Sequence, residues 1–122
     1  MSGFGEFFAE GGWGMYPVLI FGLTTVGGAI WFALKPEPRR LAFTAAMWLT
    51  LLSAVFHATW TDVAAVMAYL SEISQKQPDA PVMTILFQGL KESTRPGTMG
   101  GTFLTLGLLI VGIGSLRAPK ND

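Results

Sequence analysis

The chain has 122 residues, 51% of them hydrophobic and only 13% charged, and its eight basic and eight acidic side chains cancel. A soluble domain would carry about twice that charged fraction, so the composition favours an integral membrane protein and offers no basic run long enough to hold nucleic acid. With no cysteine and one histidine, disulfides, thiolate metal sites and cysteine nucleophiles are excluded, and a histidine-rich metal centre is disfavoured.

The first ten residues set Phe4, Phe7 and Phe8 against Glu6 and Glu10. A short amphipathic piece of this kind either lies among lipid headgroups or caps the first span. No Lys or Arg precedes the first apolar run, so this start is not expected to be a cleaved signal peptide. Gly11, Gly12 and Gly14 break it from the first long apolar run.

The first expected span, 11–34, has 24 residues without a charge. Trp13 and Tyr16 open it and Trp31 closes it, as aromatic belts do at the two faces of a bilayer. Gly22, Thr24, Thr25, Gly27 and Gly28 sit mid-span, and small residues at such spacings let helix backbones approach. Pro17 falls in the first turn, where a missing N–H costs little. The loop KPEPRR, residues 35–40, then stops one helix and starts another. Three of its four charges are basic. By the positive-inside rule it is cytoplasmic, which puts the N-terminal end outside and, after three spans, the C-terminal end inside.

The second span, Leu41–Thr61, contains 21 residues in which His57 is the single ionisable group. About 20 apolar residues cross a bilayer core. On a helix Thr50, Ser53, His57 and Thr61 share one face, and such a polar stripe belongs against protein or water rather than lipid. The apolar spacing continues through Val63, Val66, Met67, Leu70 and Ile73, so the helix is expected to run on to about residue 74 and project from the membrane. Asp62, beside the interfacial Trp60, reads as a solvated or hydrogen-bonded boundary residue more readily than as a buried proton carrier.

QKQPDA, residues 75–80, is a polar break. Residues 81–93 read as a short amphipathic helix with Pro81 in its first turn and Val82, Ile85, Leu86 and Leu90 on its apolar face; it is too short to span. The third span, 96–116, has 21 uncharged residues. Gly100, Gly107 and Gly114 recur every seven residues along it, a seam for another helix. Thr98, Thr102 and Thr105 share a second face, which either bonds to its own backbone or faces a polar path.

No enzyme constellation appears: no paired carboxylates within a span, no phosphate loop and no metal-ligand spacing. The chain is therefore expected not to be an enzyme and to need no cofactor. His57 is open to two uses. It is either an interhelical or interfacial packing residue, or an imidazole that passes protons with help from Ser53 and Thr61. As an axial ligand it would need a porphyrin supplied by a larger complex, for which no other residue speaks.

The stretch EGGWGMYPVLIFGL, Glu10 to Leu23, resembles the first transmembrane helix of the MotA/TolQ/ExbB proton-channel family, and TFLTLGLLIVGIG, Thr102 to Gly114, is similar to that family's last helix. The resemblance is to a reduced, divergent member, because six residues stand where the family has a large cytoplasmic domain. It implies a bacterial inner-membrane protein whose copies surround a single-span partner bearing a proton-carrying aspartate. Thr102 and Thr105 would line the route on the last helix, with Thr50 and Ser53 as looser matches on the second.

The expectation is an all-α integral membrane protein, one membrane domain over 1–122 with three transmembrane helices plus a short amphipathic interfacial helix in an outer loop, 75–95. Thr50, Ser53, His57, Thr61, Thr102 and Thr105 are its candidate polar path, and Gly22, Gly28, Gly100, Gly107 and Gly114 its helix-packing positions. Its expected partners are membrane lipid and further copies of itself or unlike subunits. It would serve as a small subunit of a proton-channel-like assembly or as a non-catalytic accessory subunit of a respiratory, photosynthetic or secretion complex.

Overall fold

The computed structural model describes residues 3–10 and 12–119. Five helices succeed one another: α1, Gly3–Glu10; α2, Met15–Leu34; α3, Pro38–Lys76; α4, Val82–Ser93; and α5, Arg95–Ser115. Among the described residues there is no strand. Three helical stretches are long and apolar enough to cross a membrane: α2, α3, and α4 with α5, which meet at Thr94.

The helix limits arise from local chemistry. Residue 11, the expected start of the first span, lies outside the described residues. Helix α2 begins only at Met15, because Gly12 takes φ 72°, a left-handed conformation that side chains resist, and turns the chain there. The aromatic face expected for α1 rests on the side chains of Phe4, Phe7, Phe8 and Glu10, which also lie outside the described set. Helix α3 starts three residues earlier than the charge-free run, since Pro38 has the backbone angle and the missing N–H that suit a first helical turn. Its 39 residues correspond to about 58 Å, nearly twice the ~30 Å of a hydrocarbon core.

Helices α2 and α5 run side by side in the same direction, with α3 antiparallel to both. A ladder of close approaches fixes the register. Gly14 faces Ala58; Val18 and Val55 meet at Gly100; Gly22 receives the Phe103 ring; Thr25 meets Gly107; Gly28 faces Thr44; and Gly114 lies on Phe32 and Ala33. Met15, Val18, Leu51, Ala58 and Met99 form the buried centre. In a bilayer such a seam is held by van der Waals contact and interhelical hydrogen bonds, because lipid is as apolar as the side chains it would replace.

On α3 the packed residues are Thr44, Trp48, Leu51, Val55 and Ala58, at alternating spacings of 4 and 3, then Asp62, Val66 and Leu70, four residues apart. Beyond Thr61 the same stripe packs α4, with Val66 against Gly89. The α3–α4 pair therefore extends the bundle past the expected span.

Candidate functional site

The polar residues of α3 lie on a different side of the helix from its packed stripe. At about 100° per residue, Thr50, Ser53, His57 and Thr61 centre roughly 115° away from the Thr44–Leu51–Ala58 line. Ser53, His57 and Thr61 are exposed, and Thr50 is half-buried. Two of the hydroxyls are bound to their own helix: Thr50 donates to the Ala46 carbonyl at 2.8 Å and Thr61 to the His57 carbonyl at 2.9 Å. Around His57 the large side chains of Phe56, 69% exposed, and Trp60 are turned outward as well.

Helix α5 repeats this arrangement. Thr98 and Thr102 donate to the Thr94 and Thr98 carbonyls at 3.1 and 2.9 Å, and Thr102 and Thr105 are exposed. The α5 side that enters the bundle carries Met99, Gly100, Phe103, Gly107 and Gly114 instead. Within one chain the α3 and α5 polar faces do not meet. Both point away from the bundle.

The five glycines singled out in the sequence are buried, and all face helices of this same chain. Gly101, Gly97, Gly27 and Gly112 have nothing near the position a side chain would take. The occupied and the open glycines alternate along the same helices, and only the fold separates them.

Three polar features acquire their surroundings only in the fold. Trp48 Nε1 donates to the Leu104 carbonyl at 3.1 Å, a hydrogen bond from α3 to α5. Asp62 is half-buried beside Gly12, at the end of the bundle where α2 begins. Its Oδ2 is buried and has no hydrogen-bond partner among the described residues. At the opposite end Arg40 donates from Nη1 to the Trp31 carbonyl at 2.8 Å, with its guanidinium 4.7 Å from the Trp31 ring centre. Its charge therefore sits at the C-terminal end of α2, where the helix dipole favours a cation. Glu37 joins this turn, 3.1 Å from Lys35 Nζ and 3.7 Å from Arg40 Nε. The hydrogen bond and charge of Lys35 hold the Glu37 carboxyl below its ordinary range. The turn itself was marked by KPEPRR, and the aromatic and basic spacing Trp31…Arg40 is the signal that would have marked this contact across it.

Among the described residues no group of three His, Cys, Asp or Glu side chains converges as metal ligands would. What the geometry offers is two outward polar faces, an α3–α4 hairpin, and a basic α2–α3 turn. Comparison with protein-family models, with curated proteins and with solved structures finds no match for this chain.

Proposed function

We propose that the chain is a subunit of an oligomeric membrane assembly in the bacterial inner membrane, with its N-terminal end outside and its C-terminal end in the cytoplasm. The observation that carries this reading is the outward placement of Ser53, His57 and Thr61 on α3 and of Thr102 and Thr105 on α5. An imidazole and a row of hydroxyls turned away from their own bundle are better placed against protein or water than against hydrocarbon. In a ring of copies around a single-span partner helix, as in the MotA/TolQ/ExbB type, those faces would line a proton route, with His57 as its exchangeable group.

Because the chain has no cysteine, single-cysteine variants report without interference. Ser53→Cys and Thr102→Cys are expected to cross-link to a second copy or a partner in native membranes, while Leu23→Cys, at an exposed apolar position of α2, does not. In the same membranes His57→Ala and Thr105→Ala should cut proton flux at least tenfold. Absence of cross-links at both polar positions would rule out the shared lumen.

A second reading is supported by the α3–α4 hairpin. Past Thr61, Met67, Tyr69, Met83 and Phe87 are all exposed, beyond the run that a bilayer would cover. Large apolar side chains in that position suit a partner protein, as in an accessory subunit held once per complex.

A further inference from the structure

Beyond the expected span the chain folds back, and α4 lies along the last part of α3. The two helices close where Val66 meets Gly89, since a Cβ at Gly89 would overlap the valine side chain. Beside that contact is a hollow of about 480 Å³, with Ala65, Val66 and Tyr69 on its α3 wall and Ile85, Gln88 and Glu92 on its α4 wall. At about 100° per residue, Ala65, Val66 and Tyr69 fall within an arc of about 100° on α3, and Asp62 lies in the same arc one turn nearer the span. Most of the wall is apolar, and its one carboxylate is Glu92. Counted from the Val66–Gly89 contact, Asp62 and Glu92 stand at one end of the hollow, and Tyr69 and Ile85 at the other.

The Glu92 carboxylate is held in place without being neutralised. Gln88, one turn before it on α4, donates from Nε2 to Glu92 Oε1 at 3.1 Å. Among the described residues neither Glu92 nor Asp62 has an ion-pair partner, and Lys76 is taken up by Glu72 at 2.6 Å. The Glu92 charge also acts on Asp62 across the hairpin, so two like charges share one end of the hollow. A positive group beside them would be attracted by both. At the other end Tyr69 presents an exposed ring, a flat wall for an apolar or aromatic body.

An acidic end that continues into an apolar trough fits a molecule of the opposite plan, cationic at one end and hydrocarbon along its length. We propose that the α3–α4 hollow binds an organic ammonium ion with an aromatic body, its nitrogen at Glu92 and its body along Ile85 and Tyr69. From Glu92 back to Ile85, α4 rises about 10 Å, which sets the length of that body. The volume selects a small molecule over a helix, since sites for drug-sized ligands measure roughly 300–1,000 Å³. Charge complementarity selects the cation, because a neutral guest would leave Glu92 uncompensated. A metal ion would need several converging oxygens, and this wall supplies one carboxylate. The site is complete within one chain and does not depend on how many copies assemble.

The test is equilibrium dialysis of the full chain in maltoside micelles, corrected with empty micelles. The probes are phenylbutyltrimethylammonium, its neutral relative phenylbutanol and its anionic relative phenylbutanesulfonate. The ammonium is expected to bind roughly tenfold or more tightly than either relative. Glu92→Gln should remove that preference, weakening the ammonium about tenfold and leaving phenylbutanol unchanged. Tyr69→Ala should weaken the ammonium and the alcohol alike, about threefold. Ala65→Trp, which fills the hollow from an exposed position, should abolish binding of both, and Asp79→Asn, at an exposed acid outside the hollow, should change neither. Equal binding of the three probes, or an equal effect of Asp79→Asn and Glu92→Gln, would overturn the assignment. Failure of the ammonium to bind, with Glu92→Gln instead releasing a co-purified subunit, would also overturn it and give the hollow to a basic side chain of a partner.

Discussion

Trp48 of α3 gives its indole N–H to the backbone carbonyl of Leu104 on α5, at 3.1 Å across 56 residues of sequence. In a bilayer such a bond has no water to compete with it, yet measured cross-helix bonds average about 0.6 kcal/mol and reach ~1.7. Trp48→Phe, which keeps an aromatic ring and removes the donor, should cost about 1 kcal/mol. Trp48→Ala should cost about 3–5 kcal/mol, as deleting a packed aromatic does. Reversible unfolding of the two variants in mixed micelles separates the bond from the packing.

Glycines on α5 should divide sharply by position. A Cβ at Gly114 would stand 2.8 Å from the Ala33 backbone Cα, which cannot move aside as a side chain would, whereas at Gly112 it would meet nothing within 4 Å. Gly114→Ala is expected to destabilise by about 1–3 kcal/mol through overpacking. Gly112→Ala should be neutral or stabilise by up to about 1 kcal/mol, since alanine is the better helix former. A similar loss in both variants would mean that α5 packs on another face.

The three charge-free runs were legible because a bilayer core imposes a length and forbids charge, and both constraints are written in sequence. The overlong α3 was legible as well, in the apolar spacing that continues from Val63 to Ile73. What could not be read was the choice among equivalent small residues. Gly100 and Gly101 are neighbours of the same type, but Gly100 faces Val55 and Gly101 faces open space. That choice is made by helix rotation, which depends on shapes supplied from α2 and α3. The Trp48–Leu104 bond was hidden for the same reason, since an indole in an apolar run shows no acceptor until the neighbouring helix is placed. Helix ends were shifted by local backbone effects, Gly12 delaying α2 and Pro38 advancing α3.

The α2–α3 turn should respond to acid through Glu37. Lys35 lowers its carboxyl in the folded turn, so the turn's gain is present above the ordinary glutamate range and is lost as pH falls through the depressed folded value. A spin label at Pro36→Cys should therefore report a rigid turn at neutral pH and a looser one in acid, and Glu37→Gln should remove that pH response. Arg40→Ala should loosen the turn at every pH, by withdrawing the cation from the α2 C-terminus and from Trp31.

Asp62 carries a buried oxygen without a partner among the described residues. Removing its charge should relieve a desolvation cost, so Asp62→Asn is expected to stabilise the bundle by about 1 kcal/mol. Thermal unfolding at neutral pH checks the sign. Destabilisation instead would show that the carboxylate holds the Gly12 turn.

His57→Leu separates folding from assembly. Its ring is exposed, so stability of the isolated chain should change by less than about 0.5 kcal/mol. Association with further copies or a partner should weaken at least fivefold if the α3 polar face lies in an interface.

The most direct test of the proposed assembly is the mass of the detergent-extracted complex with its partners retained, measured by native mass spectrometry. The proposal predicts a defined oligomer: several copies around a single-span partner for the proton-channel reading, or one copy among unlike subunits for the accessory reading. A lone chain that carries lipid but no other protein, at every concentration and in mild detergent, would contradict it.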